Sequence, residues 1–596
     1  MKQAIVLIHG IGEQKPMDTV RSFVESVLPS PVNDDEQYWS KPDPMSESFE
    51  LRRLQAVGRN KIHFFEYYWA YQISGTKFRH LTQWLLNLLL RRPHNVPSGL
   101  RTIWWLSWML LIGLVAAIAS GAVTHFMQAD LDRSPYTLIS VLLALLLSGV
   151  QGFLLYYAGD AARYLSPSPE NIALRQRTRA DGVALLRRLH ESGEYDRIVV
   201  VGHSLGSVIG YDILTALWRE HNSVYDFESK DAELDQLLAN NVRPQPVVRD
   251  ALSAIGETLR NLPTDDSTQP LRHALQHAYR AAQFACWKEQ RYWGNDWRVT
   301  DFITLGSPLA HGMMLLARSN AEFSARKRQR ELPTCPPVKD GKRYAYSPKK
   351  GIETAGKRKF NPLLLHHAAC FAVTRWTNMY YPAYGGLCGD LVGGPLAAVF
   401  GPGISDIPVK SAGWRRFTPA AHTTYWDKQS DAPASIDAKA AEDFALPSLK
   451  QVLRFDHPRE YKLPDSVTEN PGWHTELIAL NARIDDPGNT GAGAANFPAD
   501  ALSELLLFYR TGEPVRGKLG TDGVLEQLKQ SIPPGTVITK KIAVTPIGSH
   551  VLVTLVNAMT QADYSEQHLR HLRIFSKHHD QWQLEIWHCT EVRDGA

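Results

Sequence analysis

The pentapeptide Gly202-His203-Ser204-Leu205-Gly206 constrains this chain more than any other feature. It follows the apolar run Ile198-Val199-Val200-Val201 and opens a helix-like segment over residues 207–218. A strand, then G-x-S-x-G, then a helix is the pattern of a nucleophile elbow, a tight turn that lifts a serine hydroxyl above the end of a sheet. Glycine is needed on both sides because side chains there would collide with the neighbouring strand and helix. The turn also sets Ser204 at a helix N-terminus, where developing negative charge is favoured. Without its flanks the pentapeptide is an ordinary glycine-rich turn; the flanking pattern favours the catalytic reading.

Two long apolar segments interrupt the chain upstream of the elbow. Residues 103–127 and 136–158 contain no formal charge, and each is long enough as a helix to cross a hydrocarbon layer of about 30 Å. The short loop 128–135 joins them, which predicts a transmembrane hairpin over 99–158. Trp104, Trp105 and Trp108 open the first segment and Tyr156 and Tyr157 close the second, so a hairpin puts these aromatic residues at one interface. Arg91, Arg92 and Arg101 precede the pair and Arg163, Arg175, Arg177 and Arg179 follow it, whereas the loop carries Asp130, Asp132 and Arg133. The positive-inside rule then places both termini and the Ser204 unit in the cytoplasm. Small residues recur at Gly113, Ala117 and Gly121 and at Ser140, Ala144, Ser148 and Gly152, which suits close helix contact in lipid. The competing reading is a pair of buried helices in a large soluble core. Residues 81–90 are too short to span and read as an interfacial or core helix.

Composition narrows the remaining classes. The chain has 596 residues, 44% of them hydrophobic, enough for more than one domain. A formal net charge of +4 gives no nucleic-acid signature. Five scattered cysteines (Cys286, Cys335, Cys370, Cys388 and Cys589) show neither a disulfide framework nor metal-ligand spacing. The start, Met1-Lys2 followed by a short apolar run ending at His9-Gly10, does not read as a signal peptide.

Residues 4–8 read as a buried strand, and 49–57 and 61–68 as a strand pair around Gly58-Arg59-Asn60. Residues 170–191 read as a helix with Leu174, Val183, Leu186 and Leu189 inward. Residues 220–297 are polar and helix-forming and read as an insertion over the site, a lid. Residues 299–305 form the next strand, closing on Gly306-Ser307-Pro308, and 370–379 another. The strongly basic stretch 318–360 reads as a loop, either lying on anionic headgroups or solvated. Residues 427–447 loosen the chain before a C-terminal unit.

A serine hydroxyl is a weak nucleophile. It needs a base, an orienting acid for the base, and donors for the oxyanion. In elbow enzymes the acid and then the histidine follow the serine in the chain. Two downstream segments fit: Trp376-Thr377-Asn378 leading to Gly389-Asp390-Leu391-Val392-Gly393, and Ala421-His422-Thr423-Thr424-Tyr425-Trp426. Together with Ile8-His9-Gly10-Ile11-Gly12, the elbow and Leu305-Gly306-Ser307-Pro308, these pieces resemble the α/β-hydrolase superfamily, specifically lipase-like serine esterases near the GPI-inositol deacylase branch. The resemblance runs over residues 4–427 apart from the apolar hairpin and the helical insert. It implies an α/β fold with a mostly parallel sheet, covering 1–98 and 159–447. It further implies Ser204 as nucleophile, His422 as base, Asp390 as orienting acid, and the N–H groups of Ile11 and Leu205 as oxyanion donors. Asp406 is the alternative acid, and His311, His366 and His367 compete with His422. Tyr381 to Cys388 lengthens the run before Asp390. Glu13, near the oxyanion turn, reads as a surface or hydrogen-bonding residue, and Cys388 as structural.

From about Trp473 the pattern changes to a short helix and then alternating strands at 551–555, 568–575 and 582–589. This order resembles the SnoaL-like α+β cone fold over 473–596, a fold that implies a binding or dimerisation module and hence a homo-oligomer. His578, His579 and His588 read as turn and strand residues, not a metal site. The sequence thus leads to a membrane-anchored serine hydrolase of carboxylic esters, lipid esters foremost, with no cofactor, metal or nucleic-acid partner. A non-catalytic scaffold and a transacylase at the same serine are the alternatives.

Overall fold

The computed structural model describes residues 2–10, 15–29, 36–58, 61–73, 169–239, 247–264, 268–341, 344–348, 351–383, 389–427, 431–433, 437–454, 502–510, 537–547, 550–560, 566–578 and 581–591, with shorter pieces between 93 and 164 and between 477 and 484. Apolar runs build the first sheet. Its strands are β1 (Lys2–Ile8), β2 (Tyr38–Pro42), β3 (Arg52–Ala56), β4 (Lys61–Tyr67), β5 (Arg197–His203), β6 (Val299–Leu305), β7 (Arg375–Tyr380) and β8 (Ser405–Pro408). Their spatial order is β8-β7-β6-β5-β1-β4-β3-β2. Pairing is parallel from β8 to β4 and antiparallel at β3 and β2. β1 and β5 lie side by side, Ile8 opposite Gly202. The chain leaves in opposite directions from this pair, so their carboxyl ends frame the crevice where such sheets place ligands.

Both faces of the central strands are covered, which is why these strands read as continuous apolar runs. Ala4, Val6, Ile198 and Val200 face one core and Ile5, Leu7, Val199 and Val201 the other. The described helices include α1 (Asp18–Val27), α2 (Pro169–Glu191), α3 (Leu205–His221), α4 (Asp231–Ala239), α5 (Val247–Asn261), α6 (Gln269–Tyr292), α7 (Asn320–Arg328) and α8 (Ala445–Leu453). α2, α3, α5 and α6 supply the first core, α1 and α8 the second.

The structure corrects several expectations. The polar stretch 220–297, expected as an insertion over the site, contributes two helices, α5 and α6, to the first core. Its last helix, α6, lies along the sheet: Gln276 donates to the Ile404 carbonyl, Arg280 to the Trp376 carbonyl, Gln283 to the Phe371 carbonyl and Trp287 to the Trp297 carbonyl. A buried stripe of Leu275, Tyr279, Ala282 and Cys286 explains why it is a layer of the core. The basic stretch 318–360 contains α7, started by the Ser319 side chain, which accepts from Glu322 N–H. Three of its cations are engaged within the protein: Arg326 pairs with Glu331, Arg330 with Asp340, and Lys327 Nζ donates to the Val399 carbonyl. The strand expected at 370–379 starts only at Arg375, because Cys370–Ala372 closes a 3-10 turn. The first unit does not end at 447: α8 continues to Leu453 and buries Leu446, Leu449 and Leu453.

The second sheet contains β9 (Leu502–Arg510), β10 (Val537–Ile547), β11 (His550–Thr560), β12 (Glu566–His578) and β13 (Gln581–Glu591) in the order β9-β13-β12-β11-β10. The three strands expected from alternation are present as β11 to β13. One face carries Val551, Val553, Leu555, Phe575 and Trp587 and packs on Leu477 and Ile484. The other carries Leu552, Leu572, Ile574 and Ile586, which join the same core as α5 and α6.

Most of the apolar hairpin 99–158, and all of residues 81–90, lies outside the described residues. No described helix is long and apolar enough to cross a membrane. Residues 104–113, 115 and 116 are described as helical. Along them Trp105, Met109, Ile112 and Val115 are all more than half exposed.

Candidate active site

β5 ends at His203 and the chain turns at once into α3. Ser204 occupies the turn with φ 52° and ψ −127°, backbone that a residue with a Cβ adopts only under strain. Its N–H donates to the Leu305 carbonyl at 2.9 Å. Its carbonyl accepts from Ser207 Oγ at 2.6 Å. Since that bond takes Ser207's only hydroxyl proton, Ser307 donates to Ser207 across 2.6 Å, lacing the elbow to the loop after β6. Gly206 admits no side chain: a Cβ would stand 2.2 Å from Ile8 O and 2.5 Å from His9 O.

Ser204 Oγ lies 2.8 Å from His422 Nε2, and His422 Nδ1 lies 3.0 Å from Asp390 Oδ1. His422 belongs to the 3-10 turn Pro419–Thr423, and Asp390 to the loop between β7 and β8. Val392 N–H and Gly393 N–H each donate to Asp390 Oδ1 at 2.9 Å, and Tyr425 Oη donates to Oδ2 at 2.7 Å. Burial by itself would raise the Asp390 carboxyl. His422 and these donors outweigh it and hold the group at about 2. An ionised Asp390 only accepts, so His422 Nδ1 carries a proton and Nε2 is left to accept from Ser204. Leu205, the expected second donor, is the first residue of α3, where backbone N–H groups have no intrahelical partner.

The turn after β1 abuts the serine: a Cβ on Gly10 would sit 2.9 Å from Ser204 Cβ. His9 Nδ1 donates to the Gly10 carbonyl at 2.8 Å, and its Nε2 accepts from Trp69 N–H at 3.3 Å. The His9 ring stacks on Trp69 with centroids 4.9 Å apart. Ile11, the other expected oxyanion donor, and Glu13 lie outside the described residues, as does Cys388.

Burial pulls His9 down to about 4 and both His190 and His203 to about 3. These folded-state values lie below the ordinary 6.5, so on acidification the unfolded chain takes up protons first. Their stabilisation is complete above pH 6.5 and is lost as the pH falls toward 3 to 4. Each contributes a slope of about 1.4 kcal/mol per pH unit within that window. Glu66, raised by burial to about 7, acts in the opposite sense, as do the raised carboxyls of Glu289 and Asp406, but His63, His366 and His588 are also lowered to about 4 and add to the loss. The melting temperature is therefore expected to drop steadily between pH 6.5 and 4; a flat melting curve over that range contradicts the assignment of neutral buried rings.

The competing residues have other partners. Asp406 accepts from Asn378 Nδ2 and from the N–H groups of Leu396 and Ala397, and so pins a loop. His311 Nε2 donates to the Leu391 carbonyl at 3.1 Å, behind Asp390. His366 binds the Val338 carbonyl, and the His367 ring lies tilted against it with centroids 5.9 Å apart. His588 is buried, with its pKa lowered to about 4 by burial. Among the described residues no group of His, Cys, Asp or Glu is placed to hold a metal. Cys286, Cys335, Cys370 and Cys589 are buried free thiols.

Three contributors escape a reading of motifs alone. Tyr425 grips the second oxygen of Asp390. Gly306, at φ +56, makes room for Asp390, Tyr425 and His422 at once. His203 faces His422. All three lie inside motif segments, but no local pattern assigns them these contacts.

No family model matches the sequence, and no curated protein matches it. Among solved structures it is similar to an NTF2-like protein of unknown function from Pseudomonas putida KT2440, at 12% identity, over 21% of this chain and 91% of that one, with a TM-score of 0.18. An NTF2-like protein from Cytophaga hutchinsonii ATCC 33406 shows 12% identity over 20% of this chain and 98% of its own, with a TM-score of 0.17. The S. rosetta CaMKII hub shows 12% identity over 20% and 95%, with a TM-score of 0.17. The first two are NTF2-like by their descriptions, and each of the three likenesses is confined to about a fifth of this chain.

Proposed function

We propose that this chain is a serine hydrolase of the α/β-hydrolase type that cleaves carboxylic esters, lipid esters foremost, with Ser204, His422 and Asp390 as its catalytic triad. One observation carries the reading: the unbroken hydrogen-bonded line from Ser204 Oγ through His422 to Asp390, at 2.8 and 3.0 Å, beginning at a strained serine on a strand-to-helix turn. In this mechanism His422 Nε2 takes the Ser204 proton as Oγ attacks the ester carbonyl. The Leu205 N–H and the turn after β1 stabilise the oxyanion. Collapse of the tetrahedral species breaks the bond to the leaving alkoxide, which departs with the proton from His422. Water then repeats the sequence on the acyl-enzyme, releasing the acid and restoring Ser204.

The preference for lipid rests on the apolar segments 103–127 and 136–158, read as a two-pass anchor with both termini cytoplasmic, and on the outward row Trp105, Met109, Ile112 and Val115. Holding the serine near a bilayer raises the effective concentration of acyl substrate. The C-terminal sheet is read as a SnoaL-like cone that binds a partner or a second copy.

The test is labelling of the full chain by a fluorophosphonate probe, which phosphonylates an activated serine. The expected adduct maps to Ser204 and does not form on protein denatured by heat beforehand. A folded protein that never labels, and that hydrolyses no ester, supports a scaffold instead.

A further inference from the structure

We propose that His203 is a positioning residue for the base: its side chain grips the main chain of His422 and so fixes the gap that the Ser204 proton must cross. The inference rests on the proposed roles of Ser204 and His422. His203 Nε2 lies 2.9 Å from the His422 carbonyl oxygen. A carbonyl offers no proton, so Nε2–H donates and Nδ1 is the bare nitrogen. That tautomer is the neutral one, and burial, which drops the group to about 3, keeps it neutral. Neutrality matters because the two imidazole centroids are 5.1 Å apart. A cation at His203 would oppose the imidazolium that forms at His422 during attack. A neutral donor holds the base without that repulsion.

The need for such a grip follows from where His422 sits. Its turn is no part of the sheet: the backbone bonds around it are local ones, Ala421 N–H to Thr418 O and Thr424 N–H to Ala421 O, and Tyr381 Oη holds the Thr424 carbonyl, two residues beyond the base, at 3.1 Å. Asp390 and Ser204 hold the two ring nitrogens, but the ring swings with its Cα. The His203 bond ties that Cα to the end of β5, one residue from the nucleophile. Consecutive residues therefore hold both ends of the base: Ser204 meets the ring and His203 the main chain. Trp426, with its ring 5.1 Å away and edge-on, and Gly10, where a Cβ would lie 2.9 Å from Nδ1, keep the His203 imidazole in this pose.

Three variants of the full chain separate this role from simple filling of the core. Glutamine places an amide N–H near the position of Nε2, asparagine stops short of the carbonyl, and leucine fills space without donating. With p-nitrophenyl butyrate as probe, His203→Leu and His203→Asn are expected to lose kcat by about 30-fold or more with KM nearly unchanged, since small misplacements of reacting groups carry losses on the order of 100-fold. His203→Gln should recover at least roughly a third of wild-type kcat, because a charge-neutral donor is restored. Fluorophosphonate labelling rates should fall and recover in parallel. If His203→Leu does not fold, the comparison of Gln with Asn decides. Equal activity in those two, or wild-type kcat in His203→Asn, overturns the positioning role while an active wild type leaves the hydrolase reading standing. A wild type that neither labels nor turns over ester overturns that reading, and this inference with it.

Discussion

Replacing Ser204 by alanine is expected to cut ester turnover by about 10⁴ to 10⁶-fold, the loss that follows removal of a serine nucleophile. Stability should change by no more than about 1 kcal/mol, since the substitution removes one hydrogen bond, that to His422, and adds no bulk. Glycine at the same position separates chemistry from strain. Ser204 is held at φ 52°, which only glycine adopts freely. Ser204→Gly should therefore be equally inactive yet about 1 kcal/mol more stable than Ser204→Ala. Kinetics on purified protein and thermal melts of both variants are the measurement. A Ser204→Ala protein with a few per cent of wild-type activity excludes this serine as nucleophile. A glycine variant melting below the alanine one contradicts the strain.

The second large effect is expected at Gly306, well away from any reacting atom in sequence. A Cβ there would stand 2.8 Å from Asp390 Oδ2, 2.8 Å from Tyr425 Cε2 and 2.9 Å from His422 Nδ1. None of these groups has slack: the acid is tied by four donors and the base by three partners. Gly306→Ala must displace the acid or the base, and kcat should fall by about 100-fold or more. Overpacking together with the φ of +56° should destabilise the fold by about 1 to 3 kcal/mol. Gly193 is the control. Its φ is +63° but a Cβ there meets nothing within 4 Å, so Gly193→Ala carries the backbone strain without the intrusion. Its stability should fall by roughly 1 kcal/mol with activity intact. Comparable activity losses in the two variants would mean that backbone strain, not the clash, is responsible.

How much of this was legible in the sequence depends on the range of the interaction involved. β1 and β5 stood out because strands covered on both faces carry unbroken apolar runs, Ala4 to Ile8 and Ile198 to Val201, whereas β6 buries Thr300, Asp301 and Thr304 among its apolar residues. The elbow stood out because close approach of strand and helix leaves glycine as the fitting residue at 206. α6 was misread because its polar outer face dominates the composition, and its buried stripe is visible only against the sheet it covers. α7 was hidden by its charges, although Ser319 followed three residues later by Glu322 is a helix-start signal that could have found it. The contacts that hold the base were not legible at all. His203 and His422 meet across more than two hundred residues, and no local pattern marks a side chain that binds a distant carbonyl. The strands β9 and β10 likewise gain their definition from pairing within the second sheet.

The shared wall between the second sheet and α5 and α6 bears on how this protein can be divided. Cutting the chain after Leu453 would spare every member of the Ser204 site, and a shorter form invites that choice. It would also strip Leu552, Leu572, Ile574 and Ile586 from a surface they now keep dry. The trimmed product would carry a sticky flank in place of a sealed seam, so the two halves are best produced, purified and engineered as one piece.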